Sequence, residues 1–136
     1  MKDKFYYKDG TTSSKYYDYK VLHRVDGPAR EYADGDKFWH VDDKLHRNDG
    51  PALEYTDGTK LWYIDSKLHR NDGPAVEYAD GGKRWYVDGK GYTEEEFNKL
   101  MKAIRKLPLA LRLIDPREWV RKTVDDKDII VSAKTI

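Results

Sequence analysis

The chain has 136 residues, enough for one domain or one domain with an appendage. Hydrophobic and charged residues each make up 38%, against about 25% charged in an average globular chain, so core-forming material is short and a thin, elongated fold is expected. Twenty-six basic and 25 acidic side chains leave a net charge of +1, without the basic excess of a dedicated nucleic-acid binder, and the absence of cysteine excludes disulfides, zinc–thiolate centres and a cysteine nucleophile.

The N-terminal segment, 1–21, reads as a degenerate repeat that caps an array. Phe5-Tyr6-Tyr7-Lys8-Asp9-Gly10 and Lys15-Tyr16-Tyr17 echo a turn and an aromatic strand, with Thr11-Thr12-Ser13-Ser14 inserted. No apolar stretch follows the charged start, so a signal peptide is not expected. No run reaches the roughly 20 apolar residues of a membrane span. A cytoplasmic location, the host's if the chain is phage-encoded, is the simplest expectation.

From residue 22 the sequence repeats every 23 residues. The units 22–44, 45–67 and 68–90 share the pattern L-H-R-x-D-G-P-A-x-E-Y-x-D-G-x-K-x-W-x-x-D-x-K, identical at 15 of 23 positions. Asp34-Gly35, Asp57-Gly58 and Asp80-Gly81 signal a tight turn between antiparallel strands, expected over 29–33 and 37–41 in the first unit. A two-residue turn sets Tyr32 opposite Lys37 and Arg30 opposite Trp39. Tyr32, Trp39 and Val41 then share one side, as do Tyr55, Trp62 and Ile64 and then Tyr78, Trp85 and Val87. The expected core is therefore a Tyr/Trp ladder, with Glu31, Glu54 and Glu77 on the other face beside Phe38, Leu61 and Arg84. A three-residue bulged turn would shift this register. The polar segment between hairpins, such as 42–50, reads as a loop turning at Asp49-Gly50, and neighbouring units are expected to pair edge to edge.

After Lys90 the pattern stops, and 91–136 reads as a helical cap. Thr93-Glu94-Glu95-Glu96 is a capping box, followed by Phe97, Leu100, Met101, Ile104 and Leu107 at helical spacing, with Pro108 as terminator. Asp115-Pro116-Arg117-Glu118 starts a second, shorter helix carrying Trp119, Val120 and Val124. Residues 128–133 offer a short last strand. The fold class is thus mainly β with C-terminal α: an extended antiparallel sheet of tandem hairpins capped by one or two helices.

The 23-residue unit, with Trp85-Tyr86-Val87-Asp88-Gly89-Lys90 and Lys67-Leu68-His69, resembles the MORN repeat family. The chain departs from that family at Gly27-Pro28-Ala29, Gly50-Pro51-Ala52 and Gly73-Pro74-Ala75, where the family has Gly-x-Gly. The L-H-R-x-D-G-P-A wording, with the tail Asp115-Pro116-Arg117-Glu118-Trp119-Val120-Arg121, is similar to repeat proteins of tailed bacteriophages and bacteria. The repeats cover about half the chain. The resemblance implies a binding and assembly scaffold and transfers no catalytic residue.

His23, His46 and His69 recur beside Arg24, Arg47 and Arg70. Equivalent positions on successive hairpins lie about 10 Å apart, too far to share one ion with ligands at about 2 Å, so no metal site is expected. Each His-Arg-x-Asp-Gly segment is instead expected to satisfy itself, with His or Arg bonding Asp26, Asp49 or Asp72 and nearby carbonyls. The four serines (Ser13, Ser14, Ser66, Ser132) lie outside any repeated motif, and no Gly-rich phosphate loop appears. No catalytic residue and no cofactor are expected. The leading expectation is a protein-binding module, with specificity at the positions that vary between units: Arg30, Phe38, His40, Leu61, Tyr63, Arg84 and Tyr86. For a phage protein the partner would be a host defence or regulatory component to be inhibited. Two alternatives stand beside it. The ladder of His23-Arg24, His46-Arg47 and His69-Arg70 could track a phosphate backbone. Uncovered strand edges, or Phe97-Leu100-Ile104, could support a homodimer.

Overall fold

The computed structural model describes residues 2–107, so the expected second helix and last strand lie outside the described residues. Each repeat contributes two hairpins, not one. In chain order the strands are β1 (Lys4–Tyr6), β2 (Thr12–Ser13), β3 (Arg30–Glu31), β4 (Lys37–Phe38), β5 (His40–Val41), β6 (Lys44–Leu45), β7 (Leu53–Glu54), β8 (Lys60–Leu61), β9 (Tyr63–Ile64), β10 (Lys67–Leu68), β11 (Val76–Glu77), β12 (Lys83–Val87) and β13 (Lys90–Tyr92), followed by helix α1 (Glu94–Arg105). Nine of the strands form one antiparallel sheet in the order β13-β12-β11-β8-β7-β4-β3-β1-β2. Neighbouring units meet edge to edge, β4 on β7 and β8 on β11.

The first hairpin of each unit closes with three residues, one more than expected. Tyr32 N–H donates to Asp36 O and Gly35 N–H to Tyr32 O, both at 2.9 Å. Gly35, Gly58 and Gly81 sit at φ 102°, 99° and 94°, the left-handed position where only glycine is at ease. This is a tight turn followed by a glycine bulge. The Asp before each glycine locks the loop, its carboxylate accepting from the N–H two residues on, as Asp34 does from Asp36 at 3.0 Å.

The extra residue changes which side chains share a face. Arg30 pairs with Phe38 and Glu31 with Lys37. One continuous row therefore runs Phe5, Arg30, Phe38, Leu53, Leu61, Val76, Arg84, and the other runs Lys4, Glu31, Lys37, Glu54, Lys60, Glu77, Lys83. The second row alternates charge at every step, and opposite charges directly across strands are favourable. The expected Tyr/Trp ladder is overturned: the tyrosines join the Phe/Leu/Val row, with Phe38 packed edge-on between Tyr32 at 5.2 Å and Tyr55 at 5.5 Å. The tryptophans fall on the charged side, with the glutamates.

The polar segment 42–50, expected to be a loop, holds half of the second hairpin. β5–β6 and β9–β10 are closed by Asp42-Asp43 and Asp65-Ser66, and β12–β13 by Asp88-Gly89. Their φ values are all positive, 49° and 70°, 48° and 64°, 51° and 80°, as a two-residue hairpin turn requires. Asp43 and Ser66 add side-chain acceptors for Leu22 N–H at 3.1 Å and Leu45 N–H at 3.2 Å. These second hairpins also stack, through Arg47 N–H to Tyr63 O and Ser66 N–H to Leu45 O.

At the N-terminus, β1 stands in for β4 of a missing unit. Tyr6 N–H donates to Ala29 O as Trp39 N–H does to Ala52 O, and His23 N–H to Tyr6 O as His46 N–H does to Trp39 O. At the other end α1 has the expected capping box, Thr93 and Glu96 each receiving the other's backbone N–H. Its buried Phe97 and Met101, with Leu100 and Ile104, pack on fully buried Val87 and on Trp85 and Tyr92. The helix thus lays its apolar stripe on the last hairpin, β12–β13.

Candidate functional site

The repeated arginines are internal clamps. Arg47 lies with its guanidinium 3.9 Å from the centre of the Trp39 ring. Its Nε donates to Asp49 at 2.9 Å, and its Nη1 to Pro51 O at 3.0 Å and to Glu54 at 3.1 Å. Arg70 repeats every contact, over Trp62 at 3.9 Å and with Asp72, Pro74 O and Glu77. Arg24 does so over Tyr6 at 4.0 Å, with Asp26, Pro28 O and Glu31. Each clamp joins the aromatic residue of one unit to the glutamate and loop of the next. The planar guanidinium is suited to this because it stacks and forks at once. The glycines at 27, 50 and 73 make room for it: a Cβ there would fall 2.9, 2.9 and 3.0 Å from the Arg Cζ. The expected Arg–Asp and Arg–carbonyl bonds are present; the stacking was not foreseen.

The repeated histidines are also tied into the fold. Nδ1 of His23, His46 and His69 accepts the backbone N–H of Asp42, Asp65 and Asp88 at 3.0, 3.2 and 2.9 Å. That N–H belongs to the first residue of each two-residue turn, so the histidine secures the turn of the adjoining hairpin. In the neutral ring the remaining proton is then on Nε2. Among the described residues no group of three or more His, Cys, Asp or Glu is placed to hold a metal ion.

The variable positions divide. Arg30, Phe38, Leu61 and Arg84 lie in one row with Leu53 and Val76, and His40, Tyr63 and Tyr86 follow two residues after Phe38, Leu61 and Arg84. Leu53 and Val76 are buried, Phe38, Leu61, Tyr63 and Tyr86 half-buried, and Arg84 exposed. Burial raises the Tyr63 phenol above its usual range, with Tyr55 and Tyr86 adding to it. Arg30 lies over Tyr16 and donates to the Tyr32 hydroxyl at 3.0 Å. His40 is 6% exposed, so it presents no surface to a partner. Neither of its ring nitrogens has a well-formed hydrogen bond. Burial, then the Arg30 guanidinium, pull its pKa from 6.5 down to about 4, against a smaller opposing effect of Asp43.

Between successive Arg-x-Asp-Gly-Pro segments run open grooves that the sequence did not suggest. The first, about 710 Å³, has walls at 24–28 and 46–49 and a floor of Trp39 and Val41. The second, about 810 Å³, has walls at 47–51 and 69–72 and a floor of Trp62 and Ile64. Their floors are half-buried apolar side chains; their rims carry Asp26, Asp49 and Asp72, each about 85% exposed. The signal available in the sequence was the repeated spacing from Trp to the aliphatic residue two positions on, Val41, Ile64 and Val87, once the correct face was known.

Among the described residues no helix is long and apolar enough to cross a membrane. Searches found no matching family model, no matching curated protein and no matching solved structure.

Proposed function

We propose that this chain is a non-enzymatic protein-binding repeat module of the MORN-like kind. The observation that carries the reading is that the recurring arginines are committed internally. Arg24, Arg47 and Arg70 are stacked and bonded to carboxylates, leaving the variable row and the grooves as the surfaces on offer. The same observation weighs against a phosphate-tracking ladder, since each guanidinium would have to leave Asp and Glu partners and an aromatic ring to reach a nucleic acid. The resemblance to phage and bacterial repeat proteins points to a host defence or regulatory component as the partner, with inhibition as the effect. Half-buried Phe38, Leu61, Tyr63 and Tyr86 and exposed Arg84 are the contact residues proposed on the variable face.

The test is affinity capture by the full chain from nuclease-treated and untreated bacterial lysate, with Leu61→Arg in parallel. One stoichiometric protein that survives nuclease and is lost with Leu61→Arg supports both the reading and the face. Nucleic acid alone, lost on nuclease treatment, overturns it.

A further inference from the structure

Moving the second groove one unit along the array places its floor at Trp85 and Val87 and one wall at 70–74. That third position is not open. Helix α1 lies in it, with Phe97 and Met101 buried on Val87 and beside Trp85. Val87 is 0% exposed under the helix, whereas Val41 and Ile64, its equivalents in the open grooves, are half-buried. The protein therefore already displays what this repeated surface accepts: an amphipathic helix that presents an aromatic residue and an aliphatic or Met residue four positions apart.

We propose that the two open grooves are docking sites for an amphipathic helical segment of a partner protein. Its contact face would carry the pattern of α1, an aromatic anchor, an apolar residue at i+4 and a basic residue about one turn further. This rests on the protein-binding reading above and names a partner class and a surface different from the variable row.

Charge and spacing both favour that occupant. Each rim ends in exposed aspartates, and the cleft that remains beside α1 is shared by Asp72 of the wall with Asn98 and Arg105 of the helix. Arg105 lies in the last turn of the helix, where cations complement the dipole. An acidic rim facing a basic helix end is thus an arrangement the chain uses itself. Successive grooves are offset by two strands, or about 9.5 Å, and packed helices lie about 8–10 Å apart. A helix in the second groove would lie on Ile64 and Trp62 at packing distance from α1, and one in the first would continue the layer. Apolar helix faces laid into grooves are a common mode of peptide recognition.

The test uses a fluorescein-labelled peptide with the sequence of residues 93–107, titrated with the full chain and followed by anisotropy. Saturable binding is expected, weakened at least about tenfold when both groove floors carry a charge, in the double variant Val41→Glu/Ile64→Glu. Asn48→Lys, at an exposed wall position shared by both open grooves and absent from the cleft beside α1, should weaken it in the same direction without disturbing the array. The same peptide with Phe97→Ser and Met101→Ser should not bind. Absence of saturable binding overturns the proposal. So does binding indifferent to both Val41→Glu/Ile64→Glu and Asn48→Lys, which would mean the peptide displaces α1 from its own groove. A concentration-dependent dimer in light scattering that Val41→Glu/Ile64→Glu abolishes would make the occupant a second copy and overturn the partner assignment. Capture of a lysate protein lost with Leu61→Arg but kept with Val41→Glu/Ile64→Glu would preserve the protein-binding reading and sink the grooves.

Discussion

Arg47→Lys separates a structural clamp from a charge that meets a phosphate. Lysine keeps the positive charge but has neither the flat face nor the fork. The side chain of Arg47 is 21% exposed and that of Glu54 33%, whereas that of Asp49 is 86% exposed, so the Asp49 bond is screened and counts for little. The losses that matter are the 3.9 Å stack on Trp39 and one of the two Nη1 bonds to Pro51 O and Glu54. A partly desolvated cation–π contact contributes about 0.5–2 kcal/mol and a hydrogen bond to a charged group about 1.5–3 kcal/mol. After allowance for the single bond lysine can remake, the cost is about 2–3 kcal/mol. With a urea slope of about 1.5 kcal/mol/M, the midpoint read by tryptophan fluorescence should fall by about 1.3–2 M. Arg84→Lys, at an exposed position, should move it by no more than about 0.3 M. Equal shifts for the two variants would refute the clamp.

Gly50→Ala should act through the same clamp, because the new Cβ falls 2.9 Å from Arg47 Cζ. It should cost about 1–2 kcal/mol in the parent and clearly less in an Arg47→Ala background, a coupling that a urea double-mutant cycle reads directly. His40→Phe should leave stability at pH 7 unchanged or raised, since neither ring nitrogen has a well-formed hydrogen bond to lose. The sign with pH follows from a folded pKa lowered to about 4 from 6.5. The unfolded chain binds the extra proton, so stability in the parent falls as pH drops through that window, by up to about 3 kcal/mol. That part of the acid sensitivity should vanish in the variant, as followed by denaturant midpoints between pH 7 and 4. Thr93→Ala removes the N-cap acceptor for Glu96 N–H and should cost about 1 kcal/mol, seen as faster amide exchange in the first turn of α1.

What the sequence made legible was whatever is local or periodic. The 23-residue period, edge-to-edge pairing of units and the α1 capping box depend on residues close in the chain, and all three appear in the structure. The Arg–Asp and Arg–carbonyl bonds could be anticipated for the same reason, spanning two and four residues. The register could not. Asp34-Gly35 is compatible with a two-residue or a three-residue loop, and one residue moves Phe38 to the tyrosine side and Trp39 to the glutamate side. The second hairpins were hidden because Asp42-Asp43 and Asp65-Ser66 lack the glycine that usually marks such a turn; side-chain acceptors at Asp43 and Ser66 supply the compensation. The stacking of Arg47 on Trp39 and the grooves depended on the face assignment, so they were lost with it. His40 looked like a surface variant of Tyr63 and Tyr86, and only its three-dimensional surroundings reveal a buried ring.

The hydrogen bonds that join one unit to the next recur with a period of 23 residues, which makes the boundaries of a unit chemically interchangeable. Lys44 meets Leu45 and Lys67 meets Leu68 in the same setting, with Trp39 and Trp62 presenting the same carbonyl to His46 and His69. Excising 45–67 would create the junction Lys44–Leu68 and leave both ends of the molecule facing the neighbours they face now. Length in this architecture can therefore change by whole units, as beads are added to or taken from a string, while the closing helix and the starting strand stay as they are. Each such step would add or remove one groove.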